Sequence, residues 1–313
     1  KVTDGTLLNM TPAPSSSYST VVFNIAKIRN QGLEFDIHGD FIRKKDFRWT
    51  VSLNISRNVS KVLDINGGPF SDPNNRDAMN LGTSVVKEGE PLGLLYGRVA
   101  TGIIKTQAQL EAAREEFSLW TIFDPYLNLG DIAYEYEDGF WKEDVIGHAT
   151  PDFFGGYTNT INWNRFTLTA LFTFSYGNDL IYQKDVSDSG MSSLANRGTR
   201  VLNHYSEDNT SSNRPRSMWG TTYMLSSLNV YDASYLKLKT LSLSYNLPES
   251  ICRKVRIKSA SVYGTATNVF TITSYPGPDP EVSDDPTSVI GGGRDVSTYP
   301  TVKSYTFGIR INF

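Results

Sequence analysis

Residues 32–56 read GLEFDIHGDFIRKKDFRWTVSLNIS. Leu33, Phe35, Ile37 and Phe41 alternate with Glu34, Asp36, His38 and Asp40. After the polar turn RKKD, Phe47, Trp49, Val51, Leu53 and Ile55 alternate with Arg48, Thr50, Ser52, Asn54 and Ser56. A period of two marks β-strands, and two such runs about a tight turn make a hairpin with one apolar and one polar face. Each arm is roughly ten residues long, against ~5–6 in an ordinary soluble sheet and ~9–11 in a strand that crosses a bilayer. The fold class turns on which way the apolar face points.

The same grammar recurs. GYTNTINW passes through Asn164 into RFTLTALFTFSY, where Phe166, Leu168, Ala170, Phe172, Phe174 and Tyr176 share one face and Thr167, Thr169, Thr173 and Ser175 the other. In YLKLKTLSLSYNLP, Leu241, Leu243 and Tyr245 oppose Thr240, Ser242 and Ser244, and Pro248 closes the run. SASVYGTATNVF is less cleanly patterned. YTFGIRINF puts Tyr305, Phe307, Ile309, Ile311 and Phe313 opposite Thr306, Arg310 and Asn312. Strands are therefore predicted at 31–41, 47–57, 154–163, 165–176, 235–247, 258–270 and 303–313, with 95–104 and 130–136 as candidate additions. One helix is predicted in TQAQLEAAREEFSLW, capped by Thr106, with Leu110, Ala113 and Phe117 as its apolar stripe.

Composition excludes several classes. The net charge of −3 carries no basic patch for nucleic acid. A single cysteine, Cys252, permits no disulfide within the chain, and the 3 histidines match no metal motif. There is no run of apolar residues long enough for a membrane-spanning helix, and KVTDGTLL at the start lacks a signal-peptide layout. No nucleophile elbow, HExxH or P-loop is present. The carboxylate pairs Asp279/Glu281 and Asp284/Asp285 read as solvated loop acids rather than a glycosidase pair. No catalytic residue, metal or cofactor is expected.

Short turns follow Phe41, Trp163 and Leu247, while long Gly/Pro/Asn/Ser-rich loops fill 58–94, 177–234 and 271–302. Short turns at one end and long loops at the other is the plan of an outer-membrane barrel. Trp49, Trp163 and Phe166 beside the short turns, with Tyr176, Tyr235 and Tyr305 toward the long loops, predict two aromatic belts. The expected fold is all-β: an antiparallel transmembrane β-barrel whose apolar faces meet lipid and whose long loops are extracellular. Seven to nine strands close only a narrow barrel. With the abrupt start at Lys1, this leads to the expectation that the chain is the C-terminal part of a larger barrel, and that YTFGIRINF pairs with a strand upstream.

Six ordered motifs resemble one family, the SusC-like (SusC/RagA-type) TonB-dependent transporters of Bacteroidetes outer membranes. They are NIAKIRNQGLEFDI, EGEPLGLLYGRVATGII, GDIAYE with VIGHATPDFFGGYTNTINW, DASYLKLKTLSLSYNLP, NVFTITSYPGPDPEVS and YPTVKSYTFGIRINF, and they run along most of the chain. One departure is YEDGFWKED, where Glu135, Glu137, Asp138 and Asp144 keep acidity without the calcium-like spacing of many relatives. The resemblance implies a barrel of about 22 strands with an N-terminal plug, a TonB-contacting segment and a signal peptide, all outside residues 1–313. It implies import of an oligosaccharide, or a peptide, energised through TonB, with a SusD-like lipoprotein partner in a membrane of lipid and lipopolysaccharide. A terminal aromatic, here Phe313, resembles the signal by which such barrels are recognised for assembly.

Substrate contacts are sought where aromatics and hydrogen-bonding groups mix. The loop HYSEDNTSSNRPRSMWGTTYM offers Tyr205, Asp208, Asn213, Arg216, Trp219 and Tyr223, and Glu34, Asp36, His38 and Asp40 form a lumen-facing polar stripe. The competing readings are a passive porin or structural barrel, and a soluble β-rich binding or glycan-hydrolysing domain.

Overall fold

The computed structural model describes residues 1–10, 21–65, 78–116, 127–189, 191, 194, 196–217, 223–285 and 288–313. Its main element is an 8-stranded antiparallel sheet in which each strand pairs with the next. The strands are β1 Val2–Met10, β2 Val21–Lys44, β3 Phe47–Asp64 and β4 Phe153–Trp163. They continue as β5 Phe166–Tyr176, β6 Tyr235–Asn246, β7 Ser259–Thr273 and β8 Ser304–Asn312. All seven expected strands are present. The eighth, β1, lies in a stretch that carries no clear period. Its alternation is broken by register shifts around Gly5, which sits at φ 83°.

Register fixes the two faces. Ile37, Leu53, Tyr157 and Phe172 lie across β2 to β5 on one face, while His38, Ser52, Thr158 and Leu171 occupy the other. The apolar face is the exposed one. Leu33 is 79%, Phe35 54%, Phe307 83% and Ile309 69% accessible. A soluble sandwich would bury that face against a second sheet, and soluble monomers rarely leave an extended apolar patch uncovered. The buried clusters lie elsewhere, among the long connections: Ala26, Ile28, Val62 and Ile65 pack with Met79, Val86 and Leu92.

This division explains the length of the first hairpin. A β2 of 24 residues extends roughly 80 Å, far beyond the ~25 Å apolar band of an outer-membrane strand. Its lower part, from Leu33 to Ile42, carries large exposed apolar groups, whereas Ala26 and Ile28 are buried against the loops. The strand crosses the apolar layer and then continues as a support for the loop core.

Aromatic pairs mark both borders. Near the short turns, Trp163 stacks on Phe166 at 6.4 Å, Phe166 meets Tyr245 at 4.7 Å, and Phe41 meets Trp49 at 5.6 Å. At the other border Phe153 stacks on Tyr176 at 5.0 Å. One expected belt residue is corrected. Tyr235 points to the inner face, because a bulge at Lys239 shifts the register between Leu238 and Thr240. Without it, Lys237 and Lys239 would share the outer face with Leu241. The bulge moves Leu236 and Leu238 outward and Lys237 inward.

Asn159 is a polar residue within the apolar face. Its Oδ1 accepts hydrogen bonds from Trp49 Nε1 at 3.1 Å and Tyr157 Oη at 2.9 Å. In lipid no water replaces a lost donor. Trp49→Phe is therefore expected to destabilise the folded barrel by about 1–3 kcal/mol, read as a lower denaturant midpoint of the full-length protein in detergent. Tyr157→Phe with Asn159→Leu in that background should recover most of the loss, because no polar group is then left without a partner.

The connections depart from expectation in three places. Residues 95–104 and 130–136 do form strands, but in small sheets of the loop assembly and not in the main sheet. The third short connection is no simple turn and holds a short helix, Glu249–Lys254. The expected helix, α1, runs Gln107–Glu116 with Leu110 buried. Thr106 caps it: Thr106 Oγ1 accepts from the Gln109 N–H and Gln109 Oε1 from the Thr106 N–H, a reciprocal capping box. Phe117 lies outside the described residues.

β1 and β8 are the two edges of the sheet and do not pair with each other among the described residues. In lipid each unpaired backbone group costs several kcal/mol. Both edges therefore require further strands, and the sheet is a segment of a larger barrel.

Candidate functional site

The long connections fold over the upper ends of the strands and are tied down by buried carboxylates. The strongest tie lies on the inner face of β6. Lys237, 1% exposed, is turned inward by the Lys239 bulge. Its Nζ reaches Asp279 Oδ1 at 2.9 Å and Glu281 Oε2 at 2.6 Å. Glu281 also receives Lys239 Nζ at 2.8 Å and the Tyr235 hydroxyl at 3.0 Å. Asp279 receives the Glu281 amide at 3.0 Å and the Thr301 hydroxyl. Burial pushes both carboxyls up, but the donors outweigh it and hold them below the ordinary carboxylate range. The loop that follows β7 is thereby pinned to the wall. This corrects one expectation: Asp279 and Glu281 are not solvated loop acids, because the inward lysine draws both out of water.

A second tie is Asp131. Arg216 grips it with two bonds, Nε at 2.7 Å and Nη2 at 3.1 Å. The Tyr223 hydroxyl adds a third at 2.9 Å and the Asn128 amide a fourth at 2.7 Å. Burial and the neighbouring Asp131 push the Tyr223 phenol far above its ordinary range. Tyr205 and Tyr223 pack with Ile103 and Ile132 in one buried cluster. Gly130 is required here: it holds φ 89°, and a Cβ would meet the Tyr205 ring at 2.4 Å. A third tie is Asp185, which accepts from Arg214 at 2.8 Å and from the Tyr231 hydroxyl at 2.6 Å.

These contacts sort the sequence-derived candidates. Tyr205 and Tyr223 are buried, and Arg216 is committed to Asp131. Those three hold the loop together in this arrangement. Asn213 is exposed and accepts from Lys105 Nζ at 2.8 Å, while Asp208 is exposed. Trp219 lies outside the described residues. On the inner face of β2, Asp40 accepts from Arg48 and Thr50, each at 2.8 Å. Glu34, Asp36 and His38 stand opposite Ser56, Asn54 and Ser52, all on the polar side of the sheet. Phe313 is 85% exposed beyond the end of β8.

The acidic segment 135–144 forms a tight hairpin, Phe140 and Trp141 pairing with Glu137 and Tyr136. Asp138 and Gly139 turn it with φ of 52° and 80°, the Asp-Gly pairing of a two-residue turn. Lys142 neutralises Glu135 at 3.0 Å. Among the described residues no three potential ligands come together for a metal ion.

Sequence reasoning missed a cleft of about 590 Å³ at the top of the inner wall. The inner-face residues Phe154, Thr173, Ser175 and Tyr235 form one side, and Glu281, Asp285 and Gly292 of the pinned loop form the other. Its signal in the sequence is Phe154, the aromatic on the otherwise small and polar face of β4.

No family model matches the chain. Among curated proteins it is similar to TonB-dependent receptor P3 of Formosa agariphila, 31% identical over 312 residues, covering 96% of this chain and 31% of the relative. It is also similar to TonB-dependent receptor SusC of Bacteroides thetaiotaomicron, 24% identical, covering 96% of this chain and 28% of that one. The chain thus spans about a third of the length of the curated relatives it matches. The RagAB peptide importer in its closed-closed state shares the fold, with a TM-score of 0.75 at 23% identity over 100% of this chain and 32% of that one. Along its whole length the chain is thus similar to a part of TonB-dependent receptors, SusC among them, and its sheet matches that of the RagAB importer in fold.

Proposed function

We propose that these residues are the C-terminal portion of an outer-membrane transporter that imports an oligosaccharide, or a peptide, energised through TonB. The observation that carries the reading is the exposed apolar band of the main sheet beneath a pinned loop assembly, in a chain similar throughout to TonB-dependent receptors. Its relatives are named as receptors and importers, which supports transport rather than catalysis. In this reading the plug, the TonB-contacting segment and the signal peptide belong to the rest of the protein, and a SusD-like lipoprotein covers the extracellular face. Glu34, Asp36, His38 and Asp40 face the lumen, where they meet the plug, the substrate or water. Asp208, Asn213 and Trp219 are the loop residues left for substrate contact, and Phe313 serves as the assembly signal.

The test is uptake by cells carrying the full-length gene. Labelled oligosaccharides and peptides are supplied with TonB present or deleted. The proposal expects accumulation of one class that collapses without TonB. Uptake that persists without TonB would establish the passive porin instead. Recovery of the full-length protein in the soluble fraction without detergent would exclude both.

A further inference from the structure

The charge of the chain is unevenly placed. Overall it is −3, yet each of the three short connections carries net positive charge, the third most of all. The first holds Arg43, Lys44 and Lys45 against Asp46, and the second holds Arg165. The third, after β6, holds Arg253, Lys254, Arg256 and Lys258 against Glu249 alone. All four of these cations are exposed. Only Arg253 meets the acid, at 3.0 Å with both side chains about 80% open to solvent, a pair worth little there.

The same connection is amphipathic. Ile251 and Val255, one turn apart, are 47% and 61% exposed, while Cys252 anchors the turn from within. An apolar stripe bordered by Lys and Arg is how a segment lies in a membrane interface. Directly beyond it, on the outer face, is an open apolar groove of about 830 Å³. Leu243, Tyr245, Val262, Phe307 and Ile309 form its walls, and Gly264 deepens it. Tyr245 and Val262, opposite each other in register, stand next to the connection.

We propose that this rim is a binding site for an anionic phospholipid, with the phosphate headgroup on Arg253, Lys254, Arg256 and Lys258 and an acyl chain in the groove. The inference rests on the outer-membrane reading above, with the short turns on the periplasmic side. Charge complementarity selects the occupant: the basic connection adjoins the Tyr245–Val262 end of the apolar groove, and an anionic phospholipid presents both chemistries together. Removing one cation near a lipid surface lowers the affinity about fivefold.

The full-length receptor in detergent is offered an equal mixture of phosphatidylglycerol and phosphatidylethanolamine, and the retained lipid is read by native mass spectrometry. Preferential retention of phosphatidylglycerol is expected. R253Q/K254Q/R256Q/K258Q should cut that preference at least ~10-fold, and Gly264→Leu should weaken retention of both lipids by filling the groove. If the quadruple variant fails to assemble, R253Q/K254Q and R256Q/K258Q are compared separately. Equal retention of the two lipids by the wild type, or a preference that survives the glutamines, overturns the proposal. So does a result in which the glutamines abolish capture of an acidic periplasmic protein and leave lipid retention unchanged. A receptor that stays soluble without detergent would instead overturn the membrane reading itself.

Discussion

Replacing Asp279 and Glu281 together by alanine should release the loop after β7 from the barrel wall at a local cost of about 3–5 kcal/mol. Lys237 would be left 1% exposed with neither carboxylate. The bulge at Lys239 holds it on the inner face and blocks its escape to the lipid side. Lys237→Met should cost less. Asp279 would keep Thr301 and the Glu281 amide, and Glu281 would keep Lys239 and Tyr235. The readout is amide hydrogen exchange across Tyr275–Asp285 in the full-length receptor. Similar protection in the double variant and the wild type would mean that the ion pairs do not pin the loop. The pH dependence has a fixed sign. Both carboxyls are lowered in the folded state from ordinary values of 3.8 and 4.5. Their contribution is therefore complete above about pH 5 and is lost as the pH falls through the folded values. Protection should survive mild acid and fail only below about pH 4.

That latch also shows where sequence reading reaches its limit. The alternation that gives β2 to β8 is local, and an apolar face repeated every second residue survives any tertiary context that keeps it on one side. The break at Lys239 needs one further step. Continuous alternation through YLKLKTLSL sets Lys237 and Lys239 beside Leu241, so two lysines on a lipid face are the signal that register must shift there. The partners of the ties are out of reach, because Arg216 and Asp131 lie 85 residues apart and Lys237 and Asp279 lie 42 apart. An aromatic, polar loop segment looks the same whether it contacts a ligand or its own distant carboxylate. Sequence reading leaves both open for Tyr205, Arg216 and Tyr223, and the structure shows their contacts within the loop assembly. The upper halves of β2 and β3 escape the sequence pattern for a related reason. Around Asn30, Gln31 and Gly32 the period of two weakens, and beyond them Ala26 and Ile28 pack against Met79, Val86 and Leu92 of the loops and not on the apolar face.

The sidedness of the sheet predicts an opposite fate for neighbouring residues on β8. Phe307 stands on the apolar face opposite Gly264, 83% exposed, and Thr306 stands on the polar face opposite Thr265. In a soluble protein both positions would be exposed, and arginine would be tolerated at either. In a bilayer Phe307→Arg places a charge in hydrocarbon near the middle of the strand, at a cost of about 2–4 kcal/mol. Thr306→Arg faces the wet interior and should leave stability nearly unchanged. The comparison uses the full-length receptor in outer membranes, scored by the fraction that stays folded in unheated detergent gels and by the urea midpoint. The Phe307 variant should lose folded barrel and shift to lower urea while the Thr306 variant matches the wild type. Equal behaviour of the two would refute the outward direction of the apolar face, because the positions share one strand and one neighbourhood and differ chiefly in the solvent they meet.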